Sequence, residues 1–271
     1  MWLTQEDGLY YKHSFDTSKT LHEGKTSKYK VGVYETNVLG RTLVVDGKIE
    51  ISELDEFAKA EMAVHVPMCS HKEPSDVALI DTKASLACEM LQYKNINCTW
   101  TEEDSELINI QKEYFDVYDK AFSTIKQENK NSLDYVRDAD EESLDVVISG
   151  SKVDNNFSAF TAHVARILRK DGLAVFEVDG TMMDTSALKE TILEIGKNFK
   201  IVMPYRVEAV SVVGGVKTFI LASKEYHPTA DLILQRADLI DGLKFYNSDI
   251  HPASFAMPNY IRNALRGIAK N

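Results

Sequence analysis

The sequence predicts an α/β fold: a Rossmann-like parallel sheet that closes with a reversed final strand, behind a small N-terminal β-domain. Three observations point there. Residues 76–104 read as strand, turn, helix and strand ending in acid. Two further runs, Leu144-Asp145-Val146-Val147-Ile148-Ser149 and residues 173–178, have the continuous apolar, β-branched character of buried parallel strands. Residues 207–213 and 216–222 are then joined by Gly214-Gly215, a link that makes only an antiparallel hairpin.

The composition suits a soluble globular chain. Of 271 residues, 44% are hydrophobic and 27% charged, ordinary values for a large domain beside a small one. No apolar run approaches the ~18 residues of a membrane span. The start, Met1-Trp2-Leu3-Thr4-Gln5-Glu6-Asp7, lacks the pattern of a secretory signal. Cys69, Cys88 and Cys98 have no metal or disulfide spacing and read as reduced thiols, so a cytoplasmic location is expected. The net charge of −11 argues against nucleic acid and is compatible with a cationic small molecule.

Residues 28–34 alternate, with Tyr29, Val31 and Val33 on one face. Gly40 punctuates, and Asp46-Gly47 turns the chain into Lys48-Ile49-Glu50-Ile51. Residues 1–51 therefore form the β-domain and 52–271 the larger unit. Ser52-Glu53-Leu54-Asp55 has a capping-box character and predicts a helix from Ser52. Ala58, Met62, Val66 and Cys69 give it one apolar stripe. Glu61 and His65, four apart, read as a hydrogen-bonded pair rather than metal ligands.

The stretch 76–104 organises the rest. Asp76-Val77-Ala78-Leu79-Ile80 is a strand, Asp81-Thr82-Lys83-Ala84-Ser85 a turn and 86–93 helical. Residues 98–101 are a second strand, running into Glu102-Glu103-Asp104. In a Rossmann-like unit the turn cradles the ligand, and an acid about 20 residues further on holds ribose hydroxyls, a position Glu102 meets. The turn has no glycine, so side chains stand where backbone would approach a ligand. Asp81 and Lys83 are its polar candidates, and weak nucleoside binding is expected.

A helix is predicted over 105–118, and a polar loop over 126–130. Ser149 ends a strand and Gly150-Ser151-Lys152-Val153-Asp154 is the loop after it, where ligands sit in open α/β sheets. An amphipathic helix follows over 157–169, closed by Lys170-Asp171-Gly172. The strand at 173–178 ends in Glu177-Val178-Asp179-Gly180. Helices are predicted over 185–197 and 229–239, and a strand over 200–203. A parallel sheet with a reversed last strand is the topology of nucleoside-dependent methyltransferases and their relatives, an argument from fold analogy.

Three stretches resemble the spermidine synthase family of polyamine aminopropyltransferases. Gly40-Arg41 with Leu43-Val44-Val45-Asp46-Gly47 is similar to its G-x-x-L-x-L-D-G. Asp55-Glu56-Phe57 with Glu61-Met62 and His65 looks like its D-E-F-x-Y-x-E-M helix. The tail Phe245-Tyr246-Asn247-Ser248-Asp249-Ile250-His251-Pro252-Ala253-Ser254-Phe255-Ala256-Met257-Pro258 resembles Y-N-x-x-I-H-x-A-x-F-x-L-P, which makes His251 structural. The resemblance implies aminopropyl transfer from decarboxylated S-adenosylmethionine, as co-substrate, to putrescine or a related diamine. It also implies a homodimer or homotetramer, with no metal or prosthetic group.

The departures fall at the site. The family's G-G-G-D-G is Asp81-Thr82-Lys83-Ala84-Ser85 here. Its Tyr and His/Gln before E-M are Lys59 and Ala60, and its Tyr before the hairpin glycines is Val213. The Asp-Gly that contacts adenine aligns with Asn131-Ser132. The aspartate taken as general base aligns with Gly150, with Asp154 displaced nearby. At two positions where the family has Gln, this chain has Glu50 and Glu177.

Aminopropyl transfer needs carboxylates to neutralise cations and take a proton, and alignment of amine and carbon. The candidate catalytic residues are therefore Glu177, Asp154 and Glu50. The candidates for binding the nucleoside sulfonium are Glu102, Asp81, Lys83, Asn131 and Ser149. Glu177 would restore, from the opposite wall, the charge lost at Gly150. The contrary expectation is a structural ion pair of Glu177 with a base such as Arg206. Two other readings stay open: a catalytically silent polyamine-binding or interaction protein, and an S-adenosylmethionine-dependent methyltransferase in which Lys83 pairs with the methionine carboxylate.

Overall fold

A computed structural model describes residues 1–7, 11–150, 156–178 and 185–271. The chain opens as an antiparallel meander of β1 (Trp2–Asp7), β2 (Tyr11–Lys25), β3 (Lys30–Thr36), β4 (Gly40–Val45) and β5 (Lys48–Ser52), paired in that order. Asp46 and Gly47 stand at φ 49° and 79°, the left-handed pair that a two-residue hairpin needs. The alternation of β3 buries Val31 and Val33, with Leu43 and Ile51, against Leu107, Ile110 and Phe115 of the following unit. The sheet is thereby fastened to the larger unit through its apolar face.

The second sheet has seven strands, ordered β11-β12-β10-β9-β6-β7-β8. They are β6 (Asp76–Ile80), β7 (Asn97–Thr101), β8 (Lys126–Glu128), β9 (Leu144–Ser149), β10 (Leu168–Val178), β11 (Ile201–Glu208) and β12 (Val216–Ser223). Strands β8 to β10 run parallel through β7, β6 and β9. Strand β12 lies antiparallel between β10 and β11, and is the reversed final strand. Successive residues feed opposite cores. Leu79, Ile148, Val175 and Leu221 pack with α1 (Glu56–Ser70) and α2 (Ala84–Met90). Ile80, Val147, Phe176 and Ile220 pack with α6 (Phe157–Ile167) and α7 (Ser186–Ile195). Period-two side chains covered on both faces explain the continuous apolar runs.

The remaining helices are α3 (Ser105–Tyr114), α4 (Asp119–Thr124), α5 (Ser132–Asp138), α8 (Leu234–Asp238), α9 (Ile250–Ser254) and α10 (Asn259–Ala264). No helix of the described residues is long and apolar enough to cross a membrane.

Several local expectations are corrected. The first helix begins at Glu56, not Ser52. The Asp55 carboxylate accepts from Ser52 Oγ at 2.5 Å and from the Ser211 amide and hydroxyl at 2.7 Å, instead of capping free amides. Helix α1 shows no single stripe, since all but Phe57 of it is buried. Residues 105–118 hold α3 and a separate short turn, not one helix. The polar 126–128 segment is an edge strand, its polarity reflecting solvent on the open side. Helix α6 ends at Ile167, and Lys170-Asp171-Gly172 already lie in β10. The link from β11 to β12 is the seven residues 209–215, with Gly214 and Gly215 at φ 82° and 75°. Only 234–238 of the expected 229–239 helix forms.

Candidate active site

The strand ends of β6, β7, β9 and β10 converge under the N-terminal sheet and enclose two adjoining cavities. The larger, about 560 Å³, is lined on its acidic side by Asp81, Glu102 and Glu103, and also by Tyr29, Asn131 and Gly150. The smaller, about 50 Å³, reaches Gln5, Val212 and Val213. Lys48, Glu50, Lys83 and Glu177 line both and form the junction.

On the large side, Glu102 follows β7 directly and its Oε1 accepts from the Asp104 amide at 2.9 Å. Burial pushes its carboxyl up to about 7, and the Asp81 and Asp104 carboxylates add to the rise. Tyr29 beside it is pushed up to about 12, first by burial and then by the negative charges of Glu102 and Asp81. Asn131 caps α5 by accepting from the Leu133 amide at 3.0 Å, while its Nδ2 donates to Glu103 at 2.9 Å. Glu102, Asp81, Asn131 and Lys83 are thus brought to one cavity. Ser149 is not: it is buried within β9 and lies outside the lining, where Gly150 takes its place. Asp154 lies outside the described residues.

The turn at 81–85 keeps the backbone path without its glycines. Asp81 adopts φ 48°, a left-handed conformation that aspartate tolerates better than most residues. Thr82, Ala84 and Ser85 are buried. Trp100 Nε1 donates to the Thr82 carbonyl at 3.1 Å, and Ser85 Oγ donates to Glu56 Oε1 at 2.6 Å. The Ala84 amide donates to Gln111 Oε1 at 3.0 Å. An amide that a Gly-rich turn would offer to a ligand is satisfied internally here. Gly150 faces the same turn: a Cβ on it would sit 2.5 Å from the Asp81 carbonyl oxygen. The backbones approach too closely for an aspartate at 150, so the loss of that residue and the shape of the turn belong together.

At the junction the charges alternate. Lys83 Nζ donates to both Glu177 oxygens at 3.0 Å and lies 3.0 Å from Glu50 Oε2. Lys217 reaches Glu177 from β12. Lys59 reaches Glu56 at 2.7 Å and the Glu50 carbonyl at 3.2 Å. Burial alone would push the Lys83 ammonium toward neutrality, but Glu177, Glu50 and Glu56 outweigh it and hold the group well above the usual lysine value. Glu177 therefore points into the cavities, as expected, and also makes an ion pair, with Lys83 and Lys217 rather than Arg206. The sequence marked Lys83 and Lys59 but missed Lys217 and Gln111. A lysine inside the apolar run Val216-Lys217-Thr218-Phe219-Ile220 was the available signal, since charge in a buried strand requires a partner.

The helix residues Glu61 and His65 do not pair with each other. Glu61 accepts from the amides of Lys244, Phe245 and Tyr246 at 2.8–2.9 Å. His65 meets the Tyr93 hydroxyl at 2.8 Å and Glu89 at 3.1 Å. His251 lies between the Tyr246 hydroxyl and the Pro228 carbonyl, inside the frame. Among the described residues, the side chains close enough to share an ion are His71, Asp145 and Asp171. They lie at the opposite end of the sheet, and Asp145 already accepts from the Ser75 and Asp76 amides and meets Arg169 at 2.7 Å.

Two family models match the sequence: the spermine/spermidine synthase domain over residues 56–232, and the spermidine synthase tetramerisation domain over residues 1–53. A polyamine aminopropyltransferase of Clostridium beijerinckii is 28% identical over 283 residues, covering 99% of both chains. Polyamine aminopropyltransferase 1 of Bacillus cereus is 25% identical, covering 98% of this chain and 99% of its own. The crystal structure of spermidine synthase from Thermotoga maritima superposes with TM-score 0.93 at 25% identity, over 98% of this chain and 94% of that one. A spermidine synthase in complex with the transition-state analogue AdoDATO shares the fold, with TM-score 0.92 at 24% identity over 98% and 95%.

Proposed function

The chain belongs to the spermine/spermidine synthase family, and from that premise we propose that it transfers an aminopropyl group from decarboxylated S-adenosylmethionine to a diamine. The observation that carries this reading is the junction itself. A cavity of nucleoside size, with an acid at the expected strand end, opens onto two carboxylates, Glu50 and Glu177. The larger cavity takes the nucleoside, with Glu102 on the ribose hydroxyls and Asp81 and Asn131 beside it. The acceptor amine attacks the carbon next to the sulfonium from the junction. As the N–C bond forms, the C–S bond breaks and its electron pair leaves on sulfur, giving neutral methylthioadenosine. The amine proton passes to a junction carboxylate, for which Glu177 is the candidate. Holding amine and carbon in line supplies much of the rate.

The methyltransferase reading loses support at Ala84, whose amide is already taken by Gln111. The division at residue 52 is supported by the two separate sheets, and assembly into a homodimer or homotetramer by the tetramerisation-domain match to residues 1–53. Light scattering on the purified chain decides the oligomer. Incubation with decarboxylated S-adenosylmethionine and a panel of diamines tests the reaction. Methylthioadenosine released with an aminopropylated product is the expected result. Silence with every amine, or demethylated nucleoside from S-adenosylmethionine, overturns it.

A further inference from the structure

We propose that the acceptor taken by this site is a diamine that also carries a carboxylate, and that Lys83 is the residue that sets this preference. The inference rests on the aminopropyl-transfer reading and adds the substrate class.

Both junction carboxylates already hold a lysine. Lys83 satisfies both oxygens of Glu177 and reaches Glu50, each at 3.0 Å. It is itself half-buried, with 16% of its side chain exposed. Lys217 sits on Glu177, and Lys59 sits on Glu56 and on the Glu50 carbonyl. Among the described residues, the charged lining of the smaller cavity is Lys48, Lys59, Lys83 and Lys217 against Glu6, Glu50 and Glu177.

That balance bears on what an acceptor can bring. At the moment of attack the nucleophilic amine is unprotonated. A simple diamine then carries one positive charge at its far end, which needs a carboxylate not already neutralised by the chain. A buried charge without such a partner is strongly disfavoured. A diamine with a carboxylate brings no net charge. Its far ammonium can share Glu50 or Glu177, while its carboxylate meets the ammonium of Lys83, Lys59 or Lys217. Lys83 is central because it lines both cavities and touches both junction acids, so it stands where the far ammonium of a simple diamine would be held.

Putrescine and ornithine provide the test, since they differ only by a carboxylate. Methylthioadenosine release is followed with each acceptor, and binding of each is measured by calorimetry without donor. The wild-type chain is expected to favour ornithine by about tenfold or more in kcat/KM, the size of one charge-assisted contact. In Lys83→Met the ratio is expected to fall about tenfold, mainly through KM. A wild-type preference for putrescine overturns the proposal, and so does an unchanged ratio in a Lys83→Met variant that melts like wild type. If Lys83→Met does not fold, the wild-type ratio decides alone. If no acceptor releases methylthioadenosine, the transfer reading falls, and the calorimetric comparison still decides whether the site prefers the carboxylated amine.

Discussion

The two cavities hold charge in different ways. The larger keeps Glu102 at the expected strand end and walls that crowd negative charge around Tyr29, while its turn lacks the family's glycines and Asn131-Ser132 stand where the family has Asp-Gly. The smaller is lined by lysines from three elements, Lys59 of α1, Lys83 before α2 and Lys217 of β12. Each of these lysines is matched by a carboxylate, so the site is an ordered ion-pair network. A decayed site would leave buried charges unmatched, and each such charge is costly. Acids outnumber lysines along the larger cavity and lysines outnumber acids along the smaller, although the two share one wall.

The largest expected effect lies at that shared wall. Glu177→Gln is expected to lower turnover about 100-fold, the typical worth of a positioned proton acceptor, with nucleoside affinity retained. Single-turnover kinetics beside calorimetry with methylthioadenosine reads both. Unchanged turnover would return Glu177 to a purely structural ion pair. Reinstating the family's residue sharpens the contrast. Gly150→Asp drives its Cβ onto the Asp81 carbonyl, 2.5 Å away, and is expected to cost about 2 kcal/mol or more of stability with no gain in rate. Chemical denaturation measures this, and a variant as stable as wild type would mean that the turn relaxes freely.

Smaller effects belong to the larger cavity. Glu102→Gln is expected to weaken methylthioadenosine binding about tenfold, one charged hydrogen bond, with amine binding unmoved. Equal loss for both ligands would merge the two sides into one site. The pH dependence of the same residue is smaller still. Its carboxyl stands near 7 in the folded chain against a usual 4.5, so the fold binds a proton that the unfolded chain releases. Its contribution to stability is therefore full below about 4.5 and lost as pH rises through about 7. Nucleoside affinity should move the opposite way, rising about fivefold between pH 6 and 8, because only the ionised carboxylate accepts from both ribose hydroxyls and the neutral form binds about tenfold more weakly. Calorimetry across that range in wild type and in Glu102→Gln checks it, the slope vanishing in the variant.

Much of the frame was legible because it rests on local rules. The Asp46-Gly47 hairpin, the strand at 76–80 and the reversed β12 follow from turn chemistry and apolar runs that neighbours in sequence specify. The misplaced start of the first helix has a long-range cause. Ser52 to Asp55 look like a helix start, but their side chains are used by one another and by Ser211, which lies 156 residues beyond Asp55. The motif residues Asp55, Glu61 and His251 carry the family resemblance and turn out to hold the frame: Asp55 anchors the 209–215 link, Glu61 the tail amides, and His251 the Pro228 carbonyl.

By itself the sequence determined the fold class, the strand order's reversal, the family, and which positions at the site had changed. It determined these because periodicity, turn residues and motif spacing act over short separations. The state of the site was decided only by tertiary structure. Lys83 and Glu177 stand 94 residues apart and Lys59 and Glu50 nine, yet they meet in one half-buried network that also draws Lys217 from the reversed strand. Whether a lysine there is a free cation or a matched one depends on which strand ends converge. That convergence follows from the packing of two sheets around a common cavity, and no local pattern encodes it.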